Sequence, residues 1–310
     1  MNIQNEILQL ASSGDGYVSI EKSNRLIRHL KQEGKLKESI LFLLQLANTL
    51  IDTQQYIPSI VSAHRASKLV DLENIDEDVK KEFEKYEEKI TKDCESPELY
   101  MLLDRMRKII KEKNEEIIYK QIEIAVAKDN YHQAQVGYIR IMLIHLNDND
   151  EKSAALIDDF IPKLTKLLWK WVMSIPSETQ QVYSAQFIIC RAVLAFLAQD
   201  GNGPNVSSKL FNFATEHAPE NFPIVTPLFI FTKHYIQAVL KNSPASATYL
   251  KSSYEKLLVV DIEINKWVSM IYNNHLNVEK KEQNNIEMEG FNSFVESIFG
   301  SLQNLLPNIE

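Results

Sequence analysis

"LKESILFLLQLANTLI" (Leu36–Ile51) carries its apolar residues in a single register. Ile40, Leu43, Leu44, Ala47 and Ile51 fall at i, i+3, i+4, i+7 and i+11, the stripe that one face of a helix presents to a core. The next segment repeats the pattern with Ile57, Ile60, Val61 and His64, and Pro58 stands near its start, where a missing N–H costs nothing. Working outward, the same period predicts helices near 19–33, 76–91, 97–112, 115–128, 131–146, 151–174, 178–199, 205–217, 223–242, 246–274 and 288–306. The breaks are short, such as "EGK", "DTQQ", "KDN" and "KNSPAS". No stretch sustains period-2 alternation in β-branched residues, so the expected class is all-α with essentially no sheet.

Short connections make neighbouring helices antiparallel. Many such pairs of similar length predict a solenoid. "EGKLKES" (33–39) and "KDNYHQA" (128–134) share a turn pattern: Gly34 or Asn130, an apolar residue soon after, and then small Ser39 or Ala134. This resembles the turn and second helix of tetratricopeptide repeats, so the expected architecture is a TPR-like α-solenoid of antiparallel helix pairs. Four regions are expected: an N-terminal helical-repeat half over 1–150, a C-terminal half over 151–276 continuous with it, a polar linker over 277–289, and an amphipathic helix over 290–310.

The 310 residues carry a formal net charge of −8, which argues against a nucleic-acid binder. Two cysteines far apart in sequence, Cys94 and Cys190, read as reduced thiols in a cytosolic protein. The opening "MNIQNEILQLASSGDGY" has Glu6 within its apolar part and no basic start, so no signal peptide is expected. The most apolar runs are interrupted by Arg191, Lys233 and prolines, short of the roughly 20 residues of a membrane span. Asn205-Val-Ser, a glycosylation acceptor on paper, then reads as chance.

No catalytic, cofactor or metal constellation emerges, and the chain is expected not to be an enzyme. The seven histidines form no HExxH, and phosphate and dinucleotide loops are missing. "DDFIP" at Asp158 lacks the last acid of a diphosphate–magnesium motif, and "NDNDEKSAALIDD" (147–159) lacks the glycine of a calcium loop. Cys190, among Phe187, Ile188, Ile189 and Val193, reads as a small buried hydrophobe. Trp169 and Trp171 lie roughly 200° apart around a helix and are expected to pack against different neighbours.

Charge is uneven. Between Glu21 and Glu38 six basic residues face three acidic ones, and between Asp71 and Glu98 twelve acidic residues face five basic ones. The segments read as solvated faces or as the two poles of a docking surface. Near the C-terminus, Phe291, Phe294, Val295, Ile298, Leu302 and Leu305 make an apolar stripe broadened by Phe299. Such a stripe must cover itself, by folding back or by binding a partner.

The C-terminal half has a distinctive order of features: "AVLAFLAQDG" (192–201), "FATEHAPE" (213–220) and "TPLFIF" (226–231), then a long apolar helical stretch, a polar linker and the Phe/Leu-rich tail. This order resembles the scaffold subunit of the guided-entry-of-tail-anchored-proteins pathway, the family that bridges the targeting ATPase and a ubiquitin-like adaptor. Ala192, Val193, Phe196, Leu197, Thr215, Pro219, Pro227, Leu228 and Phe231 carry the likeness, while Ala218 stands where the family has His or Lys. "GKLKES…LANTLI" echoes it more faintly near the N-terminus.

The resemblance implies a cytosolic, non-catalytic scaffold without a cofactor. Its N-terminal half would dock the ATPase, with Arg25, Arg28, Lys31 and Lys35 as the candidate contacts. Its C-terminal half would clasp the adaptor through Phe222, Phe229 and Trp267, capped by Phe291, Phe294, Ile298 and Phe299. The alternative is a generic helical-repeat interaction subunit of another multiprotein assembly. Within "EHAPENFPIVTPLFIF" (216–231), Pro219 is expected to end one helix and Pro227 to start the next, with a short ordered loop between.

Overall fold

A computed structural model describes residues 3–276 apart from residues 95, 147 and 149. The described residues are all-α, with no strand among them. Two compact units divide between Gly137 and Tyr138, earlier than the boundary expected at 150. The linker over 277–289 and the helix over 290–310 lie outside the described residues.

The first unit begins with α1 (Ile3–Ser12), α2 (Gly16–Gln32), α3 (Leu36–Asp52) and α4 (Tyr56–Leu69). α5 (Glu77–Lys89), α6 (Leu99–Ile109) and α7 (Asn114–Ala127) follow, and the division falls inside α8 (Tyr131–Ile144). α1 is a helix that the sequence pattern does not mark. Its short stripe buries only Ile7 and Ala11, too little for periodicity to stand out.

One turn design joins the helices. Gly14, Gly34, Gln54 and Asp129 sit after α1, α2, α3 and α7 with φ of 98°, 75°, 59° and 51°, in the left-handed region. The next residue's N–H then bonds back to the last helical turn: Asp15 to Leu10 O at 3.0 Å, Lys35 to Leu30 O at 2.9 Å, Gln55 to Leu50 O at 2.9 Å and Asn130 to Ala125 O at 2.8 Å. This is the bond that closes a helix C-terminus around a left-handed residue. Four residues further on stand Ser19, Ser39, Ser59 and Ala134, each 0 % exposed. A small side chain there lets consecutive helices approach. The pattern seen in "EGKLKES" and "KDNYHQA" thus holds, with one correction: Asp129, not Asn130, takes the place of Gly34.

Polar atoms lock this packing. Ser59 and Ser62 of α4 donate to Ala47 O and Leu43 O of α3, both at 2.8 Å. Because the Ser59 hydroxyl is committed as a donor, Tyr86 of α5 donates to it, at 2.8 Å. Gln55 ties the first turn to the third, accepting from Gly16 N at 2.8 Å and donating to Ala11 O at 2.6 Å. A Cβ on Gly16 would lie 2.4 Å from Gln55 Oε1, so this position has no room for a side chain. Around these bonds Leu44, Leu46 and Leu50 are 0 % exposed. Each such burial is worth about 1.5–3 kcal/mol.

The second unit continues with α9 (Glu151–Met173), α10 (Glu178–Leu197), α11 (Gly203–Glu216) and α12 (Pro227–Leu240). It ends with α13 (Pro244–Ser253), α14 (Glu255–Leu258), α15 (Ile262–Ile271) and a wider π turn over Tyr272–Leu276. The α12–α13 junction repeats the first unit's turn: Asn242 has φ of 47°, Ser243 N bonds Ala238 O at 2.8 Å, and Ala247 is the small buried residue.

The proline-rich segment is a loop between α11 and α12. Pro227 is in the first turn of α12, so the helix expected over 223–242 starts four residues later, with Pro223 outside it. α12 exposes one narrow stripe, Pro227, Lys233, His234, Gln237 and Leu240, with Ile230 half-buried along it, and buries its other residues. The single stretch expected over 246–274 is instead three helices. Asp261 creates the last start by accepting from Glu263 N at 3.0 Å and Ile264 N at 3.1 Å.

Candidate functional site

Unit 1 carries the basic face. Arg25, Arg28 and Lys31 are exposed on α2, and Lys35, exposed at the entry to α3, pairs with Glu33 at 3.0 Å. Arg28 and Lys31 form one wall of an open groove of about 520 Å³. The opposite wall is Arg65 and Lys68, one turn apart on α4, and Ile27, Leu43 and Leu69 make an apolar floor. Arg25 and Lys35 are not part of the lining.

Asn24 organises both walls. Its side-chain Oδ1 accepts from Arg65 Nη1 at 2.8 Å and its backbone carbonyl accepts from Arg28 Nε at 3.2 Å. Two guanidinium groups from different helices are thereby held by one residue. No carboxylate lines the groove. Glu98 feels the charges of His64 and Lys68, but its carboxylate accepts the Ser96 hydroxyl, which contributes most to holding it below the ordinary range.

The acidic stretch behaves differently. Lys37 bonds Asp76 at 2.8 Å and Asp78 at 2.6 Å, and holds the Asp76 carboxyl below its usual range. Lys113 reaches Glu88 at 3.4 Å, and Lys120 pairs with buried Glu87. Asp76, Asp78, Glu87 and Glu88 of the acidic pole are therefore engaged with lysines outside their own helix. The cations lining the α2–α4 groove form no ion pair among the described residues. Arg65 and Lys68 stand apart from the basic run in the sequence, and only the fold of α2, α3 and α4 brings them opposite Arg28 and Lys31.

Unit 2 places its aromatic candidates in three ways. Phe229 and Trp267 are each 2 % exposed and belong to the core, so neither offers a docking surface. Phe229 sits 6.1 Å from the ring of Phe211. Core packing takes them because α12 and α15 are covered on most sides. Phe222 is half-buried in the proline loop, edge-on to Trp169 at 4.9 Å, and Trp169 donates to Ala214 O at 2.9 Å. The loop is thus pinned to α9 and α11. Phe291, Phe294, Ile298 and Phe299 lie outside the described residues.

Other side chains of unit 2 are structural. Burial pushes the Cys190 thiol up to about 12, so it stays protonated. The Ser207 hydroxyl of the Asn205 sequon is fully buried and donates to Val193 O at 3.0 Å, a bond that ties α11 to α10. Arg191 bonds Asp261 Oδ2 through Nε at 3.0 Å and through Nη2. A second open groove, of about 530 Å³, runs between α12 and α13 past His234, Lys241 and Tyr249. Among the described residues no group of three or more His, Cys, Asp or Glu is arranged to hold a metal, and no helix is long and apolar enough to cross a membrane.

No protein-family model matches the chain, and no curated protein matches it. Among solved structures the chain is similar to the protein in the crystal structure of C. therm. Get4, at 15 % identity over 99 % of this chain and 98 % of that one, with a TM-score of 0.48.

Proposed function

We propose that the chain is a non-catalytic bridging scaffold for the post-translational targeting of tail-anchored membrane proteins to the endoplasmic reticulum. It acts in the cytosol. Unit 1 docks the targeting ATPase, and the C-terminal half holds a ubiquitin-like adaptor. The order of helix and proline features from Ala192 to Phe231 supports this reading, and so does the all-α architecture. The observation that carries it furthest is the basic face of unit 1, whose groove cations meet no carboxylate among the described residues while Asp76, Asp78, Glu87 and Glu88 are paired with lysines.

On this reading Arg28 and Lys31 are the principal ATPase contacts, with Arg25 and Lys35 flanking them. The adaptor meets Phe222 and the apolar stripe of Phe291, Phe294, Ile298 and Phe299. Phe229 and Trp267 shape that region from within the core. The test is affinity purification with the ATPase and the adaptor from the same source. Recovery of both is expected, with the ATPase the more salt-sensitive because exposed charges are screened. Recovery of neither contradicts the reading.

A further inference from the structure

The α2–α4 groove is shaped for a more specific occupant than a charged surface in general. Its walls hold cations from two helices: Arg28 and Lys31 on one side, Arg65 and Lys68 on the other. Its floor is aliphatic, with Leu43 only 2 % exposed and Ile27 and Leu69 half-buried. Asn24 fixes the guanidinium groups of Arg28 and Arg65 through separate acceptor atoms, which lowers the entropy lost when an anion meets them. A free phosphate would use the cations and leave the floor wet. An apolar peptide would cover the floor and face four unpaired charges. A segment with both carboxylates and an apolar side chain between them satisfies walls and floor together, and arginine is suited to two-pronged carboxylate recognition.

We infer that this groove seats an acidic, amphipathic segment of the partner, carboxylates to both walls and an aliphatic or aromatic side chain to the floor. Arg65 and Lys68 of α4 are then as much part of the interface as the basic residues of α2. The inference rests on the ATPase-docking reading and names the chemistry of the segment that docks.

The test uses the full chain and the purified ATPase. A carbodiimide joins lysines directly to carboxylates that touch them, and mass spectrometry locates the links. Lys31 and Lys68 are both expected to link to acidic residues of one short ATPase segment. Neither ammonium group makes a hydrogen bond or ion pair among the described residues, so the double variant Lys31→Glu/Lys68→Glu is expected to fold with an unchanged melting temperature. It is expected to bind the ATPase at least about tenfold more weakly at low salt, with the gap narrowing as salt rises. Arg65→Lys keeps charge but loses the planar fork, and a loss of about threefold or more is expected. If the ATPase binds but links only to Lys22, Lys35 or Lys37, and Lys31→Glu/Lys68→Glu binds as the parent does, the groove inference is overturned and the docking reading stands. If the ATPase does not bind the parent chain at all, both fall.

Discussion

In unit 1 the groove between α2 and α4 leaves Arg28, Lys31, Lys68 and part of Arg65 open to water. In unit 2 the aromatic rings of α12 and α15 are sealed away from it. The difference follows from what burial does to each side chain. Taking an unpaired charge out of water is costly, so a cluster of basic residues without carboxylates stays at the surface. Burying an aromatic ring is favourable, so the core takes Phe229 and Trp267 whenever a helix is covered on most sides. An unpaired surface cation is therefore a more direct clue to a partner than an apolar aromatic, and a half-buried ring in a loop, such as Phe222, is a better clue than a helical one.

Mutations can break that comparison. Phe229→Ala or Trp267→Ala is expected to destabilise unit 2 by about 3–5 kcal/mol, seen as a lower denaturation midpoint. Loss of adaptor binding from either variant at unchanged stability would return that side chain to the interface. Asp261→Ala strands the largely covered Arg191 guanidinium and removes the cap of α15, so a loss of about 3 kcal/mol is expected. Charge reversal at Lys31 and Lys68 is expected to stay within about 0.5 kcal/mol of the parent, as for surface changes elsewhere.

Smaller effects sharpen the account of the turns. Gln54 holds a left-handed conformation that an L side chain disfavours, and Gln54→Gly is expected to raise stability by roughly 0.5 kcal/mol, net of glycine's larger entropy loss. His64 gives a pH dependence. Burial first, and the Lys68 charge second, hold its imidazole below the ordinary value of 6.5. The unfolded chain therefore binds this proton more readily than the folded one. The contribution is present above pH 6.5 and is lost as pH falls below it. His64→Gln is expected to flatten that part of the stability–pH curve.

Helix positions were legible in the sequence wherever apolar spacing was long and regular, as in α3, α9 and α10. Turns were legible only in part. Gly34 announces a left-handed residue, whereas Gln54, Asp129 and Asn242 adopt the same geometry with no glycine to mark it. The α13–α15 region reads as one stretch because no proline or glycine after Pro244 interrupts it. What starts its last helix is Asp261, held by an arginine 70 residues earlier in the chain. The candidate site shows the same limit. Arg28 and Lys31 are evident in a basic run, but Arg65 and Lys68 gain meaning only once α4 lies beside α2. Nothing in the α12 pattern separates a core ring from a groove ring, because that helix is buried on more than one face.

Bridging requires both partners on one chain at once. Sedimentation velocity of the chain mixed with the ATPase and with the adaptor's N-terminal segment measures this directly. The account predicts a single species holding all three at about 50 mM salt, which sheds the ATPase but keeps the adaptor segment as salt rises towards about 500 mM. Two binary species that displace one another, or a chain that sediments alone, would contradict it.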